Sequence, residues 1–105
     1  MWNEPSLEEL AALPKFYETE ATPLAEKLIH MHFFLGGCDW YAAEYDSRQR
    51  LFFGYTILND DHQNAEWGYF AYDELREIEI RGIHVDRDLH WRVRTAANVD
   101  RINVR

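Results

Sequence analysis

Hydrophobic and polar positions change their spacing several times along the chain, and each change predicts a new element. At the N-terminus, Ser6 can cap a short helix and Glu9, three residues later, can complete a capping box. Leu10 lies on the apolar face of this segment, and Pro14 ends it. We therefore place a short N-terminal helix within residues 1–13.

From about residue 28 the apolar positions recur every second residue, which is typical of β-strands. The Gly36-Gly37 pair and two polar loops divide this region into four segments. The predicted strands cover residues 28–35, 39–45, 51–58 and 65–71. Their short connections favour an antiparallel meander over a parallel sheet.

After the fourth strand, Asp73 can cap a short helix that ends at residue 78 or 80. Residues 83–91 alternate again and predict a last extended segment. Residues 95–105 are polar with scattered apolar positions, and we expect this tail to be loosely held. The 105 residues thus predict a single α+β domain: one antiparallel sheet of four to five strands with short helices packed on it.

Aromatic residues make up 15% of the chain, which lets a small domain bury a useful core. Those on the predicted strands exceed what one face of a small sheet needs, so some must lie on its second face. Either the helices cover that face, or part of it is an exposed binding surface. We assign five of these aromatic residues to a partner-binding surface. They are Trp40, Tyr41, Tyr45, Trp67 and Tyr69.

The net charge of −8 argues against direct binding to nucleic acid or to an anionic membrane, because both would repel the protein. The charge is uneven: residues 1–80 carry 16 acidic and five basic residues, whereas residues 81–105 carry six arginines and three aspartates. Two explanations stay open. The basic end can lie against the acidic body, or the acidic body can face a basic partner.

Neither a membrane span nor a secretory signal is evident in the sequence. Apolar runs fall short of the roughly 18 residues that a spanning helix needs. The first five residues have no basic residue, and no apolar stretch follows them. The single cysteine, Cys38, cannot form an internal disulfide. We expect a cytoplasmic protein without a membrane partner.

The common signatures of hydrolases, kinases, dehydrogenases and zinc sites are missing, so we expect no cofactor. One candidate metal site is His30-x-His32, because residues i and i+2 of a strand share a face. Zinc needs three or four ligands, and Glu44 on the next strand could be a third. The alternatives are a polar sheet face, or histidines that pack like aromatic residues beside Phe34.

A second group of polar residues is His84-x-Asp86-x-Asp88-x-His90. If the segment is straight, its ends lie ~20 Å apart, so four ligands cannot reach one ion. Three alternatives stay open: an amphipathic strand, one i, i+2 pair completed from elsewhere, or an orienting hydrogen bond between Asp88 and His90.

Glu44 and Glu66 are the candidate carboxylate pair. The register predicts Glu44 opposite Phe53 and Glu66 opposite Ile57, on one sheet face and ~13 Å apart. That separation exceeds the ~5–9.5 Å of a glycosidase pair. Each glutamate could instead anchor a loop amide or an arginine. Cys38 would need His30 or His32 as a base to act as a nucleophile, and otherwise is a small inert residue.

Several segments occur in an order that resembles a known family. They are Asp39-Trp40-Tyr41-Ala42-Ala43-Glu44-Tyr45-Asp46, Phe53-Gly54-Tyr55, Glu66-Trp67-Gly68-Tyr69-Phe70, Asp73-Glu74-Leu75 and Asp86-Arg87-Asp88-Leu89-His90-Trp91. The set resembles a small bacterial domain family of unknown function, encoded mainly on plasmids, conjugative elements and phages, over residues 14–92. Asp86 stands where the family has Glu, and the two histidines of His30-x-His32 are not a family feature.

The resemblance implies no activity and no catalytic residue. It implies a setting, the accessory genes of mobile elements, whose products often bind and block host defence components. Our main hypothesis is a non-enzymatic protein-interaction module with a host defence or replication protein as partner. The alternative is a small enzyme or a ligand- or metal-binding domain on an open sheet face. Its residues would be Glu44, Glu66, Asp88 and His90.

Overall fold

The computed structural model of the chain describes residues 1–104. In chain order its elements are α1 (Leu7–Ala11), β1 (Leu28–Ile29), β2 (Met31–Leu35), β3 (Cys38–Asp46), β4 (Leu51–Ile57), β5 (Glu66–Ala71), α2 (Tyr72–Glu77), β6 (Glu79–Ile80), β7 (Ile83–His84), β8 (Asp86–Arg87) and β9 (Arg94–Thr95). Single 3-10 turns lie at Leu24–Glu26 and Ala96–Asn98. Five strands form an antiparallel sheet in the order β5-β4-β3-β2-β8, while β1–β9 and β6–β7 form two small pairs.

The predicted α+β class and the four-strand meander are confirmed. Gly36-Gly37 turns β2 into β3, and Gly36 adopts a positive φ of 55°, a backbone conformation that favours glycine. The predicted capping box of α1 is also present. Ser6 Oγ accepts from the Glu9 N–H at 3.1 Å, and Glu9 Oε1 accepts from the Ser6 N–H at 2.9 Å.

The second oxygen of Glu9 fastens α1 to β8. It accepts from Arg87 Nη1 at 2.6 Å, and this hydrogen bond, together with those from Ser6, lowers the pKa of Glu9 from 4.5 to about 2. Because the pKa is depressed by folding, the stabilisation is complete above pH 4.5 and is lost as pH falls toward 2. We expect an NMR titration to place the Glu9 midpoint near 2, and Arg87→Ala to return it toward 4.5. A midpoint that Arg87→Ala leaves unchanged would contradict the assigned cause.

The structure corrects the boundaries of two predicted elements. The first predicted strand breaks at His30, because Ile29 packs into the core on one sheet face and Met31 into the core on the other. Helix α2 begins at Tyr72 without a side-chain cap, so Asp73 is not the N-cap. Asp73 lies in the first turn and accepts from Arg50 instead, at 2.9–3.1 Å.

The predicted extended segment at residues 83–91 is not one strand. Ile83 lies in the β6–β7 hairpin, β8 joins the main sheet, and residues 88–91 form a turn closed by the Trp91 N–H and the Asp88 carbonyl at 3.2 Å. Of its apolar residues, Val85 is fully buried, whereas Ile83 and Leu89 are exposed. The backbone turns at Asp88, whose Oδ1 accepts from the His90 N–H at 2.9 Å.

The sheet has a buried core on each face. We call the first the helical face: Phe33 and Phe52 lie there at 0% exposure and pack in one cluster with Leu10 of α1 and Leu75 of α2. The other, the tail face, carries Tyr41, Tyr55 and Ile57. The core of the tail face is completed by the C-terminal segment rather than by the helices. The covering residues are Trp91, Ala96, Val99 and Ile102.

The expectation of a loosely held tail is therefore wrong for residues 95–102, and Arg105 lies outside the described residues. Strand β9 pairs with β1, the Ala96 N–H donates to the Lys27 carbonyl at 2.9 Å, and Ala96 is fully buried. The apolar residues of this segment are few, but Val99 and Ile102, together with Trp91, cover the apolar side chains of the tail face.

Removing one of these contacts tests the role of the tail. We expect Ile102→Ala to lower the free energy of unfolding by about 2–3 kcal/mol, because it leaves a cavity over the tail face. The matched control, Val104→Ala, changes an exposed side chain and is expected to cost under about 0.5 kcal/mol. Urea unfolding followed by tryptophan fluorescence measures both. Equal costs for the two variants would mean that the tail does not complete the core.

Candidate functional site

The two histidines proposed as metal ligands line different clefts. His30 lies beside Met31 and Val93, whereas His32 lies on the tail face opposite Tyr41. The strand break at His30 removes the shared face that the i, i+2 spacing predicts. Glu44 is not with either of them, because it lies beside Lys27. Within residues 1–104, no group of three or more His, Cys, Asp or Glu is arranged to hold a metal ion.

His32 is instead part of a polar cluster at the base of an open groove of about 540 Å³. Its Nε2 lies 2.7 Å from Asp39 Oδ1, and its Nδ1 lies 3.5 Å from Asp88 Oδ2. The imidazole stacks on Tyr41 with ring centroids 4.5 Å apart and lies 5.3 Å from Trp91. This cluster ties β2 and β3 to the turn that follows β8.

Asp39 is the centre of the cluster's charge. Burial opposes its ionisation, but the hydrogen bond and charge of His32 and those of Arg101 outweigh burial, so the pKa of Asp39 lies below its usual range. Arg101 Nη2 lies 2.9 Å from Asp39 Oδ2 and 2.8 Å from Asp60 Oδ1. Burial, reinforced by the negative charge of Asp39, raises the pKa of the nearby Tyr41 to about 12. Tyr41 therefore stays a neutral phenol.

The cluster holds an acid–base pair but no nucleophile. Cys38 lies on the helical face, away from His32, and its Sγ accepts from the Asn59 N–H at 3.4 Å. His30 lines a different cleft from both of these residues. The hypothesis of a nucleophilic Cys38 activated by either histidine is thus wrong, and Cys38 is instead a small residue of the core on the helical face.

The four residues of the predicted enzyme or ligand site are dispersed. Asp88 and His90 line the groove above His32, and Asp88 Oδ1 accepts the His90 backbone N–H rather than a bond from its ring. Glu44 pairs with Phe53 as predicted, on the tail face, but Glu66 pairs with Thr56 on the helical face. A bulge between Ala42 and Glu44 and a one-residue shift at β5 separate the two glutamates onto opposite faces.

Glu44 has a structural partner set of its own. It is 5% exposed beside Lys27, which is 6% exposed, with Nζ and Oε2 3.9 Å apart. Thr19 completes the arrangement: its Oγ1 donates to Glu44 Oε2, while Lys27 Nζ donates to the Thr19 carbonyl at 2.5 Å and to its Oγ1 at 2.7 Å. Glu44 thus anchors the loop before the 3-10 turn at Leu24–Glu26, the structural role that the sequence left open.

Most of the proposed partner-binding aromatic residues are core residues. Trp40 and Tyr45 are each 6% exposed and pack on the helical face, and Tyr41 is 2% exposed beneath Trp91. They are unavailable to a partner because the helices and the tail cover both faces of β3. Trp67, which is half-buried, and Tyr69, which is 58% exposed, remain accessible on β5.

Trp67 and Tyr69 belong to a larger aromatic patch at the β5 end of the tail face. The ring centroid of Tyr69 lies 5.3 Å from that of Phe16 and 5.4 Å from that of Phe53, and the ring centroids of Phe53 and Trp67 are 5.9 Å apart. Tyr17, next to Phe16, is 71% exposed. We define the aromatic patch as Phe16, Tyr17, Phe53, Trp67 and Tyr69.

The patch frames a shallow cavity of about 230 Å³ with Lys27 and Glu44 among its lining residues. Glu20 lies on its rim, whereas Glu66 begins the strand that carries the patch and lies on the other sheet face. Within the described chain, neither Glu20 nor Glu66 has a side-chain hydrogen bond or ion pair. Sequence reasoning missed Phe16 and Tyr17, whose loop has no periodicity to indicate which side chains turn toward the sheet.

The structure shows where part of the arginine-rich C-terminal region lies relative to the acidic residues 1–80. Arg87 pairs with Glu9, and Arg101 pairs with Asp39 and Asp60, so two arginines of the basic end do lie against the acidic body. Arg94 stacks on Trp91, with its Cζ 3.8 Å from the ring centroid. These pairs neutralise only a few of the 19 acidic residues, and the protein keeps its net charge of −8.

No protein-family model matches this chain, and no curated protein or solved structure resembles it significantly. None of the helices within residues 1–104 is long and apolar enough to cross a membrane.

Proposed function

We propose that this protein is a non-enzymatic protein-interaction module whose contact surface is the aromatic patch. The observation that carries the proposal is the contiguity of the five rings, with Tyr17 and Tyr69 more than half exposed. Tyrosine and tryptophan supply large contact area at low entropic cost and are enriched at protein interfaces. Glu20 on the rim of the cavity, Glu66 at the start of β5 and the net charge of −8 favour a partner with a basic surface.

The cellular setting that we propose for this interaction rests on the resemblance to the small bacterial domain family of mobile elements. The protein would be a cytoplasmic accessory protein of a plasmid, conjugative element or phage, and its partner a host defence or replication component. Surfaces of such components that hold nucleic acid are basic, and a chain of net charge −8 complements them. Direct nucleic-acid binding is not part of the proposal, because phosphates would be repelled.

Affinity purification from a bacterial host that carries a mobile element tests the proposal. We expect the wild-type protein to retain one dominant, salt-sensitive partner and the variant Tyr17→Ser/Tyr69→Ser to lose it without loss of stability. The control variant Leu7→Ser/Ile83→Ser changes two apolar residues outside the patch that are also more than half exposed, and it should retain the partner. Equal retention by all three proteins, or no partner for the wild type, contradicts the proposal.

A further inference from the structure

Strand β5 is an unprotected edge of the main sheet. It pairs with β4 on one side and, among the described residues, has no strand on the other. Natural proteins protect such edges with Lys, Pro, bulges or very short strands. The six residues of β5 include no Lys or Pro, and their pairing with β4 runs without a register shift.

The opposite edge of the same sheet is protected. Strand β8 is two residues long, and Trp2 forms a parallel bridge with Asp86, with the Trp2 N–H donating to the Val85 carbonyl at 3.0 Å. Of the two edges of the sheet, the one formed by β5, which carries the aromatic patch, is therefore the unprotected one.

The register identifies the free backbone groups of β5. The Tyr72 N–H donates to the Arg50 carbonyl, so Arg50 and Tyr72 form a hydrogen-bonded pair. Hydrogen-bonded and non-hydrogen-bonded pairs alternate along an antiparallel ladder. Phe70 and Gly68 therefore bond to β4. The N–H and C=O groups of Trp67 and Tyr69 and the N–H of Ala71 point away from it, toward the open side, whereas the Ala71 carbonyl belongs to the N-terminus of α2.

We infer that β5 binds an extended, basic segment of a partner protein as an added antiparallel strand. This inference rests on the proposed function and specifies the partner at the same surface. Side chains of the added strand that lie opposite Trp67 and Tyr69 would extend the aromatic patch. Those opposite Gly68 would enter open space on the helical face, since nothing lies within 4 Å of the position of a Gly68 Cβ.

Charge selects this occupant over a second copy of the chain. Three carboxylates without an ion pair among the described residues flank the strand: Glu20 on the patch rim, Glu66 at the start of β5, and Glu74 in the helix that follows. Two copies joined through β5 would bring together two chains of net charge −8. Lys and Arg side chains of a basic segment would instead meet these carboxylates.

Amide hydrogen exchange with a synthetic probe tests the mode of binding. The probe is an eight-residue peptide that alternates Lys or Arg with Val, Tyr or Thr, and its twin has Glu at every basic position. At about ten times its Kd, the basic peptide should slow exchange at Trp67, Tyr69 and Ala71 about tenfold. The acidic twin should not. No protection by the basic peptide, or protection of other amides only, overturns the inference.

Two pairs of variants separate backbone pairing from charge. Ala71→Pro removes one outward N–H at a φ of −86° that proline nearly accommodates, and Ala71→Ser keeps that N–H. We expect the proline variant alone to weaken peptide binding about tenfold, the value of one backbone hydrogen bond.

Gly68→Lys and Gly68→Glu add side chains of similar length and opposite charge. The Lys variant alone should weaken binding, because its positive charge repels the basic peptide. Equal losses within either pair contradict the inference, and a thermal melt of each variant verifies folding.

The same variants separate this inference from the proposed function. If Tyr17→Ser/Tyr69→Ser loses the cellular partner but Ala71→Pro and Gly68→Lys retain it, the interaction module stands and strand addition is wrong. If none of them changes partner retention, both proposals are wrong. If the wild type sediments as a dimer and Ala71→Pro as a monomer, the occupant is a second copy, which overturns the basic partner.

Discussion

Gly54→Ala is expected to unfold the protein or to cost more than about 3 kcal/mol, the largest effect of a single methyl group in this chain. A Cβ at Gly54 would lie 1.8 Å from the Tyr41 carbonyl oxygen and 2.8 Å from the Tyr41 carbonyl carbon. Both are backbone atoms of the central strand β3, so no side chain can move aside. The bulge after Ala42 accompanies this close approach of the two strands.

Gly68 provides the matched control, because it pairs with Gly54 across the β4–β5 ladder. Its Cβ position is open, and alanine loses less backbone freedom than glycine on folding. Gly68→Ala should therefore be neutral or stabilise the protein by up to about 1 kcal/mol. Urea unfolding measures both variants, and a similar cost at Gly68 would mean that strand propensity, rather than the contact with Tyr41, governs Gly54.

Lys27→Met is expected to lower the free energy of unfolding by about 3–5 kcal/mol. The substitution leaves Glu44 buried at 5% exposure without its cation, and it removes two hydrogen bonds to Thr19. An uncompensated buried charge is the costly state, so the double variant Lys27→Met/Glu44→Leu should cost less than Lys27→Met alone.

Lys15→Met serves as the control for this pair. Lys15 is exposed, and its replacement should change stability by less than about 0.5 kcal/mol. Denaturant unfolding with fluorescence detection measures the four proteins under identical conditions. If the double variant is the least stable of them, the pair contributes net stability through its attraction, and the desolvation argument is wrong.

The sequence predicted the elements whose signals are local. Alternation of apolar residues located the four meander strands to within one or two residues, apart from the break at His30. The capping box fixed α1, because Ser6 and Glu9 satisfy each other's backbone within one turn. Glu44 was placed opposite Phe53 because a short hairpin turn fixes the register of the strands that it joins.

Errors arose where distant segments compete for the same surface. The tail looked too polar to pack, yet Ala96, Val99 and Ile102 are buried because they pack, with Trp91, on the apolar side chains of the tail face. The same packing determines which aromatic residues are accessible. Tyr41 is buried on the tail face, whereas Tyr69, at the β5 end of that face, is exposed.

By itself, the sequence determined the class of the fold, the meander and the acidic character of the surface, since periodicity, turn residues and charge are local or additive properties. Only the tertiary structure decided which aromatic rings form a surface and which carboxylates stand together. A one-residue shift in register moves Glu66 to the other sheet face, and a bulge in β3 accompanies the close approach of that strand to Gly54. Such shifts depend on the packing of whole layers, which no local pattern encodes.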